Sequence, residues 1–119
     1  MTDQAVPRAA VVVAMPDDID YGTADQAYGQ LCAAFTADVP VVIADFAVTT
    51  YCDCAALRRL LAIQGRAAAR HTELRLAVPL ASPVRRILQV TGLDQQFRLY
   101  PTAAHAAAAP VPAPRSPRF

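Results

Sequence analysis

Short apolar runs separated by polar segments mark the strands of this chain. Runs rich in β-branched residues occupy residues 9–15 and 41–44, and an alternating, then apolar run occupies residues 73–78. Such runs are typical of buried strands. Residues 97–100 predict a short edge strand, and the polar residues 17–22 predict a loop.

Apolar residues at helical spacing follow the first two strands. The first helix is predicted to begin at Thr23 and to run to about Thr36, because Thr23 and Gln26 have the spacing of a capping box. The second helix is predicted to begin after Asp53, which is expected to be its N-cap. Its predicted buried face comprises Leu57, Leu60, Leu61, Gln64 and Ala68.

Two further helices are predicted near the end of the chain. Ser82 followed by a proline is a strong helix start, and Gly92 stands where a C-cap glycine belongs. An alanine-rich helix opens at residues 101–102. The alternation of strands and helices predicts an α/β fold, with a mostly parallel sheet of four to five strands and helices packed on it.

The chain is 119 residues long, which is the usual size of one domain. The pattern assigns residues 9–108 to that domain, residues 1–8 to a short lead, and the proline-rich residues 109–119 to a disordered tail.

Charge is unevenly distributed along the chain. The first 53 residues hold eight aspartates against one arginine, a net charge of −7. The rest hold ten arginines against two acids, a net charge of +8. The two halves are expected to fold together and neutralise each other.

Residues 45–57, with the sequence DFAVTTYCDCAAL, resemble the signature of STAS domains of the anti-sigma-factor-antagonist type. In that signature a strand ends in Asp-Leu-Ser, and an aromatic and an apolar residue lead to Asp-Ser-Ser-Gly-Leu at a helix start. Asp45, Tyr51, Asp53 and Leu57 fall at the matching positions without a gap. Residues 11–20 and 74–94 are similar to the strand, helix and loop motifs on either side.

The resemblance implies a regulatory protein that binds an anti-sigma factor of the histidine-kinase-like ATPase type and is not an enzyme. In the usual version the kinase phosphorylates a serine of the Asp-Ser-Ser-Gly motif. Here Cys54 and Ala55 occupy the two serine positions and Ala56 the glycine position, so this place offers no hydroxyl. The nearest hydroxyls belong to Thr49 and Thr50, in the approach to Asp53.

The predicted partner-binding surface therefore centres on the start of the second helix and the loop before the first. It comprises Asp20, Asp53, Cys54, Ala55, Ala56, Leu57 and Arg58. The alternative is a scaffold role, in which the domain self-associates as a homodimer or joins a larger signalling assembly. The first seven residues are too short and irregular to supply the family's N-terminal strand, which predicts one exposed sheet edge.

Other classes of site find little support in the sequence. Three cysteines suit a reducing cytosol better than a disulfide framework, and Cys52 and Cys54 have poor spacing for structural zinc. Clustered aspartates invite comparison with a phospho-accepting receiver, which needs a lysine, and the chain has none. Neither a cofactor nor a metal is expected.

The arginines of the second helix are expected to form a solvated face. We expect no nucleic-acid or membrane partner, and we expect the protein to be cytoplasmic.

Overall fold

The computed structural model describes residues 10–36 and 38–111. The predicted lead at residues 1–8 and most of the predicted tail lie outside these ranges. The described strands are β1 (Ala10–Ala14), β2 (Asp18–Ile19), β3 (Val41–Asp45), β4 (Tyr51–Cys52), β5 (Glu73–Ala77) and β6 (Arg98–Tyr100). The helices are α1 (Ala24–Ala33), α2 (Cys54–Ala69), α3 (Pro83–Thr91) and α4 (Ala103–Ala108), with a 3₁₀ turn at Leu93–Gln95.

The main sheet has four parallel strands in the order β1-β3-β5-β6. Val12 pairs with Ile43, and Ile43 with Arg75, so one line of side chains crosses the central strands. This confirms the predicted mostly parallel α/β fold. β1 ends the described sheet on one side, and the residues before it lie outside the described ranges, so the predicted open edge stays a prediction.

Helices cover the two faces of the sheet unequally. The larger core joins α1, α2 and α3 to one face, through residues such as Leu31, Leu60, Leu88 and Leu76. The smaller core places Ala106 of α4 against the other face, on Val41, Ile43 and Ala77. Since both faces of β3 are covered, its first four residues are all buried.

Arg75 is the largest fully buried side chain and lies on the α4 side of the sheet. Its guanidinium donates to Glu73 at 2.7 Å and to the carbonyl oxygens of Ala106 at 2.6 Å, Ala109 at 3.0 Å and Pro110 at 2.7 Å. Hydrogen bonds from the Arg75 side chain to their carbonyl oxygens thus hold the first two residues of the predicted tail against the domain.

Local signals predicted the helix starts well, with one exception. Asp53, Ser82 and Thr102 each accept a hydrogen bond from the first turn of the following helix, and Gly92 adopts φ 78° at the end of α3. The predicted capping box at Thr23 is wrong, because the Thr23 side chain makes no cap bond to α1. α1 also ends at Ala33, three residues before the predicted end.

The predicted buried face of α2 is partly wrong. Leu57 and Leu60 are buried, but the face continues through Ala56, Ile63 and Ala67, and Ala68 is exposed. The helix packs against both β5 and α1, and this rotates the buried stripe toward Ile63. No described helix is long and apolar enough to cross a membrane.

Candidate partner-binding surface at the start of α2

A two-stranded parallel ladder between β2 and β4 brings the two predicted halves of the surface together. Asp18 pairs with Tyr51 and Ile19 with Cys52. The Asp53 backbone N–H then donates to the Ile19 carbonyl at 3.2 Å. The loop that holds Asp20 therefore lies beside the start of α2, at the edge of the main sheet where its parallel strands end. The sequence pattern predicted a loop at β2 and so missed this ladder.

Asp53 is the N-cap of α2. Its backbone is extended, and its Oδ1 accepts a hydrogen bond from the Ala56 N–H at 2.8 Å. The carboxylate also sits at the N-terminal end of the helix, beside its free backbone N–H groups. The side chain is half-buried, so the cap is compatible with a contact to a partner.

Asp20 organises the turn before α1. Its Oδ1 accepts from the backbone N–H groups of Gly22 at 2.8 Å and Thr23 at 3.0 Å. The Thr23 hydroxyl donates to the Asp18 carbonyl, and its oxygen accepts from the Asp20 N–H instead of from an N–H group of α1, both at 3.0 Å. A short aspartate side chain that binds backbone N–H groups two and three residues later is a common way to close a turn. This competition explains why the capping box fails.

The start of α2 divides into exposed and buried positions. Cys54, Ala55 and Arg58 are exposed, whereas Ala56 and Leu57 lie in the core. Ala56 and Leu57 pack beneath the helix start, and their role as contact residues stays a prediction. Of the seven predicted positions, the exposed three and the half-buried Asp20 and Asp53 remain available to a partner.

α1 holds the first turn of α2 from one side. The hydroxyl of the buried Tyr28 donates to the Ala56 carbonyl at 2.8 Å. Arg59 lies over the Tyr28 ring at 5.4 Å and pairs with Asp25 at 2.7 Å. This arrangement fixes the exposed helix start on the rest of the domain.

Cys52 lies directly below the surface and is fully buried. Burial raises the pKa of its thiol to about 12, and the same cause raises the pKa of Tyr28. Both groups are therefore neutral near pH 7, and the Cys52 thiol is unreactive there because the thiolate is the nucleophile. Cys54, by contrast, is exposed.

These raised pKa values predict a loss of stability at alkaline pH. A group whose pKa is higher in the folded state stabilises the fold below its unfolded pKa, here 9.0 for Cys52, and loses that contribution as pH rises toward about 12. We expect the free energy of unfolding, measured by urea titration, to fall between pH 9 and 10.5. The fall should be smaller in Cys52→Ala than in the wild type; an equal fall in both would contradict the assignment.

Exposed apolar side chains gather around the same edge of the sheet. Tyr21 is 93% exposed and Leu80 is 74% exposed, and Val48 and Tyr51 are also exposed. All four lie in segments that follow the carboxyl ends of β1, β3 or β5. The motifs of the sequence did not point to these four residues, and the one signal for them was the presence of apolar residues in predicted loops. Exposed apolar residues in one region mark interaction sites.

A family model for the STAS domain matches residues 2–106. The chain belongs to the STAS domain family. Its fold resembles the Bacillus cell fate determinant SpoIIAA in the phosphorylated form, with a TM-score of 0.57 and 20% sequence identity over 87% of this chain and 92% of that one. At this identity the likeness establishes the fold. No curated protein matches the chain.

Within this STAS domain, the two threonines nearest the substituted serine positions are poorly placed to replace them. Thr49 is buried, and its hydroxyl donates to the Pro16 carbonyl at 2.7 Å. Thr50 is exposed, but its hydroxyl donates to the Asp17 carboxylate at 2.8 Å. A phosphoryl group on Thr50 would lie against that like charge.

Four aspartates lie at this edge of the STAS domain. Asp17, Asp18, Asp20 and Asp53 follow strands that end at the same edge, as the comparison with receivers anticipated. Within residues 10–36 and 38–111, however, no three His, Cys, Asp or Glu side chains are arranged to hold a metal ion. Asp17, Asp20 and Asp53 instead bind the chain's own hydroxyl and N–H groups.

The side chain of Asp53 should stabilise the fold because it accepts the cap hydrogen bond, and not because it is charged. We expect Asp53→Ala to lower the free energy of unfolding by about 1 kcal/mol, whereas Asp53→Asn should change it by only a few tenths, since asparagine caps equally well. Urea unfolding at pH 7 measures both. Equal losses in the two variants would show that charge, and not capping, is the main contribution.

Proposed function

We propose that this STAS domain is a regulatory module that binds an anti-sigma factor of the histidine-kinase-like ATPase type and so controls sigma-factor-dependent transcription. The surface of the domain at the start of α2, with the exposed side chains of Cys54, Ala55 and Arg58, is the proposed docking site. The observation that supports this most is that exposed apolar side chains lie in several loops at the same edge of the sheet as that helix start. No catalytic step is part of the proposal.

Binding is proposed to occur without phosphorylation at the start of α2. Cys54 and Ala55 offer no hydroxyl, and the neighbouring threonine hydroxyls are engaged with Pro16 and Asp17. A phosphoryl dianion at this position would alter the surface electrostatically. Its absence makes the docking surface permanently available, so that the protein acts as an antagonist that its kinase cannot switch off.

The test is a titration against each purified anti-sigma ATPase of this type from the source organism, with ATP present and intact mass followed in parallel. We expect one of them to bind tightly, with no mass gain of about 80 Da from a phosphoryl group. A mass gain on this chain would refute the unswitched form of the proposal. Failure to bind any of them, together with self-association in sedimentation, would favour the scaffold alternative.

Asp53 tests the contribution of charge at the site. Asp53→Lys would remove the α2 cap together with the charge, so a loss of binding could not be assigned. Asp53→Asn keeps a cap acceptor and removes only the charge. We expect Asp53→Asn to weaken binding by at least about threefold through lost charge complementarity, with its thermal midpoint unchanged. Unchanged affinity in isothermal titration would remove the Asp53 charge from the interface.

A further inference from the structure

An apolar groove runs from the first residue of α2 to α3. Its lining residues are Cys54, Pro83, Arg86, Ile87, Val90 and Thr91. The groove has a volume of about 330 Å³ and is open to solvent along one side. Val90, which lines the groove, is 76% exposed, the second largest exposure of a large apolar side chain in the described ranges. We call this feature the α2–α3 groove.

Two hydroxyl groups at or near this groove are already engaged in hydrogen bonds of α3. The Thr91 hydroxyl donates to the Ile87 carbonyl of its own helix at 2.7 Å. The Ser82 side chain accepts from the Val84 N–H at 3.0 Å, as the cap of α3. The Cys54 thiol is a weak donor that behaves largely as a small apolar group. The groove therefore offers an apolar surface that water solvates poorly.

Positive charge lies beside this apolar surface. Arg86 lines the groove, and Arg58 lies four residues after Cys54, which places the two on the same face of α2. The ion pairs found in the described part of the chain use Arg59, Arg75 and Arg98, and neither Arg58 nor Arg86 takes part in one. Two guanidinium groups beside an apolar groove are complementary to a carboxylate next to an apolar side chain.

We infer that the α2–α3 groove takes an apolar side chain flanked by a carboxylate, presented by the same anti-sigma ATPase that docks at the start of α2. The inference rests on the proposed function, because Cys54 belongs both to the proposed docking site and to the wall of the groove. The exposed apolar surface thus continues from the sheet edge onto α3. An open groove of this size suits a protruding side chain better than a small molecule, which needs most of its surface enclosed.

The same geometry gives a reason for the residue at position 54. The resemblance implies that family members receive a phosphoryl group on one of the two serines that Cys54 and Ala55 replace. At position 54 such a dianion would stand at the wall of an apolar groove and would oppose the entry of an apolar side chain. A cysteine at position 54 keeps the wall apolar and removes the acceptor hydroxyl.

A charge placed in the groove tests the inference. We expect Val90→Asp to weaken binding of the ATPase found in the titration by at least about tenfold, because it puts a charge among desolvated apolar groups. Gln89→Asp is the matched control, since it adds the same charge on the neighbouring exposed residue of α3, outside the groove. Both carry the same small penalty for an acid near a helix C-terminus. The control should bind within about twofold of the wild type.

Position 54 supplies a second variant. Cys54→Asp adds an acid to the first turn of α2, which the helix dipole favours, so the domain should remain folded. In titrations without ATP, we expect it to weaken binding about as much as Val90→Asp, whereas Cys54→Ser should have a small effect. Arg86→Glu should also weaken binding and flatten its dependence on salt concentration, because it removes the attraction for the flanking carboxylate.

The outcomes separate this inference from the proposed function. If the wild type binds no such ATPase, the proposed function fails and the inference falls with it. If the wild type binds and both Val90→Asp and Gln89→Asp bind equally well, only the inference is refuted. If Val90→Asp abolishes self-association of the protein in sedimentation while ATPase binding is unchanged, a second copy occupies the groove and the inference is also refuted.

Discussion

Replacing Arg75 with leucine is expected to lower the free energy of unfolding by about 3 kcal/mol or more. The guanidinium is 2% exposed and donates to Glu73 and to three carbonyl oxygens at the end of α4 and just beyond it. Its loss leaves these acceptors without their donor in a buried place, where an unsatisfied group costs about 1–3 kcal/mol. Leucine fills part of the volume but supplies no donor.

Arg98→Leu is the matched control for Arg75→Leu. Arg98 pairs with the same Glu73 oxygen at 3.3 Å, but its side chain is 65% exposed. An exposed pair of this kind contributes at most about 1 kcal/mol. Urea unfolding of the two variants at pH 7 should therefore give clearly different midpoints. Similar midpoints would show that the buried network around Arg75 adds little to the stability of the fold.

The Arg75 network also connects the C-terminal segment to the domain. Since Ala109 and Pro110 supply two of its acceptors, a chain that ends at residue 108 should also be less stable, by about 1–2 kcal/mol. The same truncation in the Arg75→Leu background should cost almost nothing, because the donor is already gone. Additive losses in the double variant would contradict this coupling.

Leu80→Asp is expected to reduce binding of the anti-sigma ATPase by at least about tenfold while leaving the fold intact. Leu80 is 74% exposed in the loop between β5 and α3, so the substitution removes little buried surface from the free protein. In a complex, the same side chain would be desolvated at the docking surface, and a charge there would be costly. Titration calorimetry measures the affinity, and circular dichroism checks the fold.

Val12→Asp is the matched control for Leu80→Asp. Val12 is also an exposed apolar residue, but it lies in the middle of β1, paired with Ile43, and not in a loop at the carboxyl edge of the sheet. If exposed apolar surface in general favours association, the two variants should lose affinity equally. If the carboxyl edge of the sheet is the docking surface, only Leu80→Asp should lose it. Equal affinity of Leu80→Asp and the wild type would remove this loop from the interface.

The local elements were predictable because their causes are local. The caps at Asp53 and Ser82 and the αL glycine at Gly92 depend on backbone groups within three residues, and all three are present in the structure. The parallel α/β fold follows from the order of strands and helices, since parallel strands need crossovers. The spacing from Asp45 to Leu57 was enough to indicate the STAS family, which the family match confirms.

Tertiary structure decided the features that depend on residues far apart in the chain. Thr23 makes no cap bond because its hydroxyl binds the backbone of Asp18 and Asp20, in the turn that the β2 ladder fixes beside β4. Arg75 is buried because α4 covers its face of the sheet, and strand alternation alone does not say which polar residue a later helix will cover.

The candidate surface shows the same division. The sequence alone predicted that the surface centres on Asp53 and Cys54. It also showed that this place has no phosphorylatable hydroxyl. The fold decided that Ala56 and Leu57 are buried. It also decided that exposed apolar residues lie in loops at the same edge of the sheet, namely Tyr21, Val48, Tyr51 and Leu80. Residues from three different loops become neighbours only because parallel strands all end at the same edge of the sheet, and burial is a property of that assembled edge rather than of any one segment.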